Sequence, residues 1–289
     1  MVLALTGCVG YMSYFIYPYT FLASPQVLST DPDPERSISL LTANVFQGNR
    51  DAQPCIELIK QKDPDLVLLL ETDQWWVDRI AVIENQYPYK VTVPLDNAYG
   101  MALYSKIPMI NPKVEYLMEK KVPSIHVALE LPYGKTIKLH CLHPKPPSPT
   151  EKDTSIPRDA ELMLVAKLTG FNDYPTIVAG DLNDVAWSHT TRLFQRVSGL
   201  LDPRKGRGFF NTFHAKIPIF RWPLDHVFHS NDFKLVAIER LPDIGSDHFP
   251  IYINLQYQKT AEQQQDEPTA DRQDQKEATE KIQEGIEAN

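Results

Sequence analysis

The chain has 289 residues, of which 43% are apolar, 23% charged and 10% aromatic, and its formal charge is −8. This composition excludes a coiled coil, a collagen-like fibre, a solenoid of visible period and a wholly disordered chain, since so apolar a sequence can bury enough surface to offset its ordering entropy. Residues 258–289 hold nine acids and four bases, which leaves −3 on the rest, and a near-neutral body argues against tight, sequence-blind binding to long duplex DNA.

From residue 2 to residue 22 there is no charged side chain. Such a stretch of helix, rising 1.5 Å per residue, would cross roughly 30 Å of hydrocarbon. Its tyrosines (Tyr11, Tyr14, Tyr17, Tyr19) gather toward one end, as an interfacial belt would place them. The expectation is an N-terminal transmembrane anchor at residues 1–22, the single or last span of a membrane-anchored protein; a packed apolar helix or a cleaved signal are the alternatives. Residues 23–36 are polar and Pro-bearing and read as a linker.

The folded domain is expected over residues 37–257. Short apolar runs predict strands at 38–46, 65–70, 101–105, 125–131, 136–142, 176–179, 224–229, 233–240 and 251–257. Apolar residues three and four apart predict helices at 54–62, 74–86, 158–171 and 190–198. Strands and helices in this number indicate a layered α/β domain with large sheets. Residues 258–289 have few apolar side chains and read as a disordered acidic tail. Cys8, Cys55 and Cys141 lie far apart without a CxxC pair, so neither a disulfide framework nor a cysteine zinc site is indicated.

Polar residues interrupt the apolar strands at five places. Asn44 ends the first run. Leu66-Val67-Leu68-Leu69-Leu70 delivers Glu71, and a run apolar on both faces implies a covered strand, with ligands bound beyond its end. Leu139-His140-Cys141-Leu142-His143 ends in histidine. Ile177-Val178-Ala179-Gly180-Asp181-Leu182-Asn183 repeats the logic with a glycine and an Asp/Asn pair. Last come Leu224-Asp225-His226-Val227-Phe228 and Gly245-Ser246-Asp247-His248-Phe249-Pro250.

Asn, Glu, His, Asp-x-Asn, Asp and Asp-His, arriving in this order beside hydrophobic strands, resemble the endonuclease/exonuclease/phosphatase superfamily over residues 37–257. The resemblance implies a four-layer α/β sandwich of two packed mixed sheets flanked by helices, with the active site at one end. It implies metal-dependent hydrolysis of phosphodiesters by in-line attack of water. Residue by residue it makes Glu71 the principal ligand of Mg²⁺ or Mn²⁺, with Asn44 and Asp247 beside it, all oxygen donors. His248 would face the phosphate with its other nitrogen on Asp225, Asp181 would orient or deprotonate the water, Asn183 would donate to a phosphate oxygen, and His143 would hold the phosphate from the far side. Where some members carry an acid two residues after the asparagine this chain has Phe46, which implies fewer metal-binding carboxylates. His140, His226 and His229 read as strand residues.

Fold and catalytic set do not name the substrate. The loop 203–222 carries Arg204, Lys205, Arg207, Lys216 and Arg221 among Phe209, Phe210, Phe213, Phe220 and Trp222. Bases among aromatics suit phosphate tracking with base stacking, and Trp222 is placed at the site rim; Arg158 is a second candidate for substrate phosphate. The leading expectation is therefore a membrane-tethered nuclease. The alternatives are a lipid or small-molecule phosphoester hydrolase of sphingomyelinase or phosphoinositide-phosphatase type, and a non-catalytic scaffold. No protein partner is inferable.

Overall fold

The computed structural model describes residues 2–147, 154–170 and 174–288. The elements follow in chain order: α1 (Val2–Ile16), β1 (Ser37–Asn44), α2 (Gln53–Lys62), β2 (Leu66–Leu70), α3 (Gln74–Ile80), β3 (Tyr89–Val93), β4 (Met101–Ser105), β5 (Met109–Glu115), β6 (Ser124–Glu130), β7 (Thr136–Leu142), α4 (Ile156–Gly170), β8 (Thr176–Asp181), α5 (His189–Ser198), β9 (Asp225–His229), β10 (Phe233–Arg240), β11 (Ile251–Tyr257) and α6 (Arg272–Glu287).

The strands form two mixed sheets, ordered β10-β11-β1-β2-β4-β3 and β5-β6-β7-β8-β9. In each, one central pair is parallel, β1 with β2 and β7 with β8, and the neighbours on either side are antiparallel. Alternation along the strands divides the apolar residues into three layers. Leu40, Leu66, Leu68 and Leu103 meet Ile125, Val127, Leu139 and Ile177 between the sheets. On the outer face of the first sheet Leu41, Val67 and Leu69 pack under Ile56, Ile59 of α2 and Trp76, Ile80 of α3. On the outer face of the second, Leu142, Val178 and Phe228 pack under α4 and α5. The four-layer sandwich expected from the resemblance thus has its physical basis in β2 and β8, which are apolar on both faces because helices cover one side and a sheet the other.

The N-terminal segment corrects the membrane expectation. No helix among the described residues is long and apolar enough to cross a membrane. Helix α1 has 15 residues, about 22 Å at 1.5 Å each. It stops because Pro18 restricts the residue before it, and the chain then turns into the body: Tyr19 is buried and its hydroxyl donates to the Ala186 carbonyl at 2.7 Å. Part of the apolar character of residues 2–22 reflects contact with protein, including Phe15 under the Arg192 guanidinium, 3.8 Å from the ring centre. Residues 23–36 are no free linker either. Val27 is fully buried, and the backbone pairs with Leu235 of β10 from both Leu28 and Thr30.

The acidic tail expected to be disordered folds as α6. Asp271 caps it, accepting from the backbone of Gln273 and Asp274 while the Asp274 side chain reaches back to the Asp271 N–H. Ala278 is buried in the cluster with α4 and Ile282 packs against it. Gly285 lies so close to Ala160 that an added Cβ would come within 2.3 Å of that residue's methyl carbon. Arg196 holds Asp274 through two hydrogen bonds, at 2.7 and 2.8 Å. Deleting residues 272–287 is expected to destabilise the protein by about 2–3 kcal/mol, the scale of burying an Ile and smaller apolar groups. Urea unfolding measures it; an unchanged midpoint would show that α6 does not dock in solution.

Candidate active site

The ends of β1, β2, β7 and β8 and the start of β9 lie together, so residues distant in sequence reach one cleft. It has a volume of about 330 Å³ and is lined by Glu71, Tyr99, His143, Asp181, Asn183, Phe213, Asp247 and His248 among others. Two glycines allow the close approach. Gly180 has φ of +142° and an added Cβ would sit 1.9 Å from the Leu142 carbonyl oxygen, so only glycine brings Asp181 this near the end of β7. Gly100 meets the Thr72 carbonyl at 1.7 Å in the same sense, behind Glu71. Glu71 and Asn183 themselves take left-handed backbone, with φ of 62° and 52°, a conformation costing of order 1 kcal/mol or more that clusters at functional positions.

His248 lies between two acids. Its Nδ1 is 2.7 Å from Asp225 Oδ2 and its Nε2 is 3.5 Å from Asp181 Oδ2. Burial opposes charge on this ring, but Asp225 and Asp181 outweigh burial and push its pKa up to about 10, so the imidazolium persists at neutral pH. Burial pushes Asp181 up to about 6 against the pull of His248 and His143. For Asp225, burial is overcome by His248, which holds the carboxyl below its ordinary range. His143 places Nε2 3.8 Å from the same Asp181 oxygen, and the Tyr99 ring packs on it, centroids 5.3 Å apart.

Glu71 and Asn44 form a second group. Asn44 Nδ2 donates to Glu71 Oε1 at 2.8 Å and to Asp181 Oδ2 at 3.3 Å, tying the two carboxylates together. Its Oδ1 accepts from the Phe46 N–H, and the Gln47 N–H donates to Glu71 Oε2. Burial raises the pKa of Glu71, the bonds from Asn44 and Gln47 lower it, and the charge of Asp247 raises it again. Two acids crowded in one cleft, with oxygen lone pairs to spare, are the donor set that suits a hard divalent cation. Asp181, Asp225 and His248 also bring ligand atoms within 4.8 Å of one another. That trio is the poorer metal site, since the imidazolium already lies between its two acids and Nδ1 is spent on Asp225.

One expected residue acts otherwise. Arg158 is buried: Nε and NH2 donate to Asp159, and NH1 to the Asn183 carbonyl at 2.6 Å. It braces the turn that carries Asn183 and presents no face to substrate. Asn183 itself commits one amide hydrogen to the Pro144 carbonyl, leaving one for a ligand. Trp222 is 43% exposed and is not among the residues lining the cleft, though its backbone pairs with that of Phe213, which is. Phe213, one of the loop aromatics, has its ring 4.9 Å from that of His248; Tyr99, which lines the cleft, and Gln47, which bonds to Glu71, carried no sequence signal, because each sits in irregular chain.

The loop 203–222 corrects the sequence reading most. Arg204 is 2% exposed and forms a two-bond ion pair with Asp202, itself fully buried. It also reaches the Asp225 carbonyl at 3.3 Å and His226 Nδ1 at 2.7 Å. Lys205 donates to Gln195 and Arg207 to the Val27 carbonyl. These bases hold the loop, the N-terminal segment and β9 together, and do not face the cleft. Arg204→Ala should therefore cost stability, about 3–5 kcal/mol, because it strands the Asp202 carboxylate in the interior. Denaturant unfolding decides it, and a cost below about 1 kcal/mol would return Arg204 to the surface role.

A profile of the Endonuclease/Exonuclease/phosphatase family matches residues 41–248. A search of curated proteins finds no match. Among solved structures, D. rerio TDP2 complexed with single strand DNA product superposes with a TM-score of 0.62 at 16% identity, covering 76% of this chain and 98% of that one. The human Nocturnin catalytic domain with bound sulfate anion gives 0.61 at 18%, covering 83% and 99%. An endonuclease/exonuclease/phosphatase from Beutenbergia cavernae gives 0.60 at 18%, covering 77% and 72%.

Proposed function

Since the chain belongs to the endonuclease/exonuclease/phosphatase family, we propose that it is a metal-dependent phosphodiesterase whose substrate is a nucleic acid strand and whose nucleophile is water. The observation that carries this reading is the meeting, in one cleft, of the Asp225–His248–Asp181 cluster with the Glu71 and Asp247 carboxylates.

Glu71 and Asp247 would hold Mg²⁺ or Mn²⁺, with the Asn44 oxygen beside them. Bound there, the ion supplies positive charge against the phosphoryl oxygens and the leaving group. The protein's own groups do the rest. Asp225 fixes His248 by its Nδ1, so that the charged ring presents Nε2–H toward the cleft and a phosphate oxygen. Asp181, held by the Asn183 N–H and by Asn44, takes a proton from the attacking water. Asn183 and His143, which also line the cleft, would meet the phosphate oxygen that gains negative charge.

A strand rather than a duplex is favoured because an aromatic group adjoins Phe213 of the cleft through the Trp222 backbone. Trp222 lies beside Trp187, centroids 6.5 Å apart, and Trp187 beside Phe209 at 5.8 Å, a surface on which bases can stack. The structure of D. rerio TDP2 with a single strand DNA product supports the same direction. The second reading, a lipid or small-molecule phosphoester, is favoured by the withdrawal of Arg204, Lys205 and Arg207 from the surface. Single-stranded DNA, RNA, a phosphoinositide and sphingomyelin, each offered with Mg²⁺ to the full chain, separate the two. Cleavage of a strand supports the first; hydrolysis of lipid alone overturns it in favour of the second.

A further inference from the structure

The turn that leaves β8 toward α5 carries Asn183, and each backbone carbonyl from Asn183 to Ala186 is met by a donor. The Arg158 guanidinium donates to that of Asn183 at 2.6 Å, and His226 Nε2 lies 2.8 Å from that of Asp184. The Ser188 N–H donates to that of Val185 and the Tyr19 hydroxyl to that of Ala186. Only Ser188 is local; the other three come from α4, β9 and the N-terminal segment. Asn183 needs such a hold, because at φ of 52° it takes a left-handed conformation that persists only where its surroundings impose it. Its place matters to the cleft, which it lines, and its N–H donates to Asp181 Oδ1 at 3.0 Å.

The proton of His226 can be assigned. Arg204 NH2 is 2.7 Å from its Nδ1, and a guanidinium nitrogen only donates, so Nδ1 is a lone pair. Burial first, then the charge of Arg204, pull the pKa of this ring down to about 3. The ring is therefore neutral, and its one N–H is on Nε2, toward the Asp184 carbonyl. Arg204 is itself fixed by its two bonds to Asp202 and also donates to the Asp225 carbonyl at 3.3 Å. A buried ring anchored at one nitrogen presents the other as a donor of fixed direction.

We infer that His226 is a positioning residue for the reaction: anchored at Nδ1 by Arg204, it holds the Asp184 carbonyl with Nε2–H and so keeps Asn183, and the bond from Asn183 to Asp181, in place. The effect on rate rests on the phosphodiesterase reading; the hold on the turn rests on the geometry alone. The buried Asp202–Arg204 pair thereby serves both sides of the site. Arg204 reaches the backbone of Asp225, the partner of His248, directly, and the Asn183 turn through the His226 ring.

The test compares His226→Asn with His226→Gln in the full chain. Asn places an oxygen near the position of Nδ1, where it accepts from Arg204, and nothing at the position of Nε2; Gln reaches that position with an N–H. On single-stranded DNA with Mg²⁺, His226→Asn should lower kcat about tenfold or more, within the roughly hundredfold scale of a misplaced catalytic group, with KM within about twofold, and His226→Gln should recover most of the loss. In an Asn183→Ala background His226→Asn should cost nothing further, since a residue acting through Asn183 has nothing left to act on. Amide hydrogen exchange reads the hold without activity: the Asn183 N–H should exchange about tenfold faster or more in His226→Asn than in the wild type or His226→Gln, with the amides of β1 and β2 unchanged. A wild-type chain that leaves the strand intact would count against the nucleic-acid reading, and exchange would then decide this inference. Equal exchange at Asn183 in wild type and His226→Asn, exchange raised evenly through β1 and β2, or the same loss of rate with and without Asn183 would each overturn it. Should His226→Asn not fold, His226→Phe, which keeps the ring's bulk and neither nitrogen, takes its place in every comparison.

Discussion

Replacing Asp181 by Asn is expected to lower turnover by two to four orders of magnitude, the range of a positioned general base, with the unfolding midpoint at pH 7 unchanged or raised. The two halves have one cause. Burial pushes this carboxyl up to about 6, against an ordinary value near 3.9, so the folded protein binds the proton more tightly than the unfolded chain does. The contribution of this group to stability is complete below the unfolded value and is lost as pH rises through about 6, which leaves a buried anion as a cost at pH 7. Asn has the same shape without that cost. His248 runs over a higher window: its pKa is raised to about 10, so the stability it contributes is complete below about 6.5 and falls away as pH climbs toward 10. The wild-type rate should accordingly rise with pH through a limb near 6, and the wild-type melting temperature should decline between 6.5 and 10. Rate and melting temperature measured side by side across that range test both. An Asp181→Asn variant that keeps wild-type turnover would remove Asp181 from the reaction, and one that unfolds would make it structural.

Strands whose boundaries were legible to the residue, β4, β7, β10 and β11, are apolar runs with clear ends. β3 and β5 were not legible for the opposite reason. They are edge strands; β5 is exposed along nearly its whole length and contains Pro112, which an edge tolerates and an interior strand does not. Helix α6 escaped because a helix docked by Ala278, Gly285 and Ile282 needs only a narrow apolar seam, and its other anchors are charged pairs such as Arg196–Asp274 and Lys281–Asp159. Composition alone reads such a segment as solvated.

The candidate site divides along the same line. Glu71, Asp181 and His143 stand directly after or at the end of apolar strands, so the sequence shows where they go. Which way a long cationic side chain turns is a tertiary property. Arg204 looked like a surface base in a loop of bases, yet Asp202 two residues before it is fully buried; Arg204 holds that acid at about 2 against the opposing effect of burial. An acid two residues away is as compatible with a solvated turn as with an internal ion pair, and only the packing of Tyr19 and β9 around the pair decides between them. The same packing takes Tyr19 into the body, which a stretch without charge could not distinguish from a path into lipid.

Glu71→Gln is expected to remove nearly all divalent-cation dependence, and with it at least about a thousandfold in rate, the loss of several kcal/mol of transition-state charge stabilisation. Burial first, then Asp247, raises the pKa of this carboxyl, while Asn44 and the Gln47 N–H bond to its two oxygens and hold it in place. The substitution keeps the size of the side chain and removes the charge, so the cleft should lose affinity for the cation without collapsing. Exhaustive chelation of the wild-type protein should abolish hydrolysis, and Mg²⁺ or Mn²⁺ should restore it. Binding is read apart from catalysis through stability: a ligand at one hundred times its Kd adds about 2.7 kcal/mol to a folded state it binds alone, which would appear as a rise in wild-type melting temperature with Mg²⁺. The Glu71→Gln variant should show little or none of that rise. Full turnover after chelation, or an equal rise in both proteins, would place the cation elsewhere and leave Glu71 as a partner of Asn44 only.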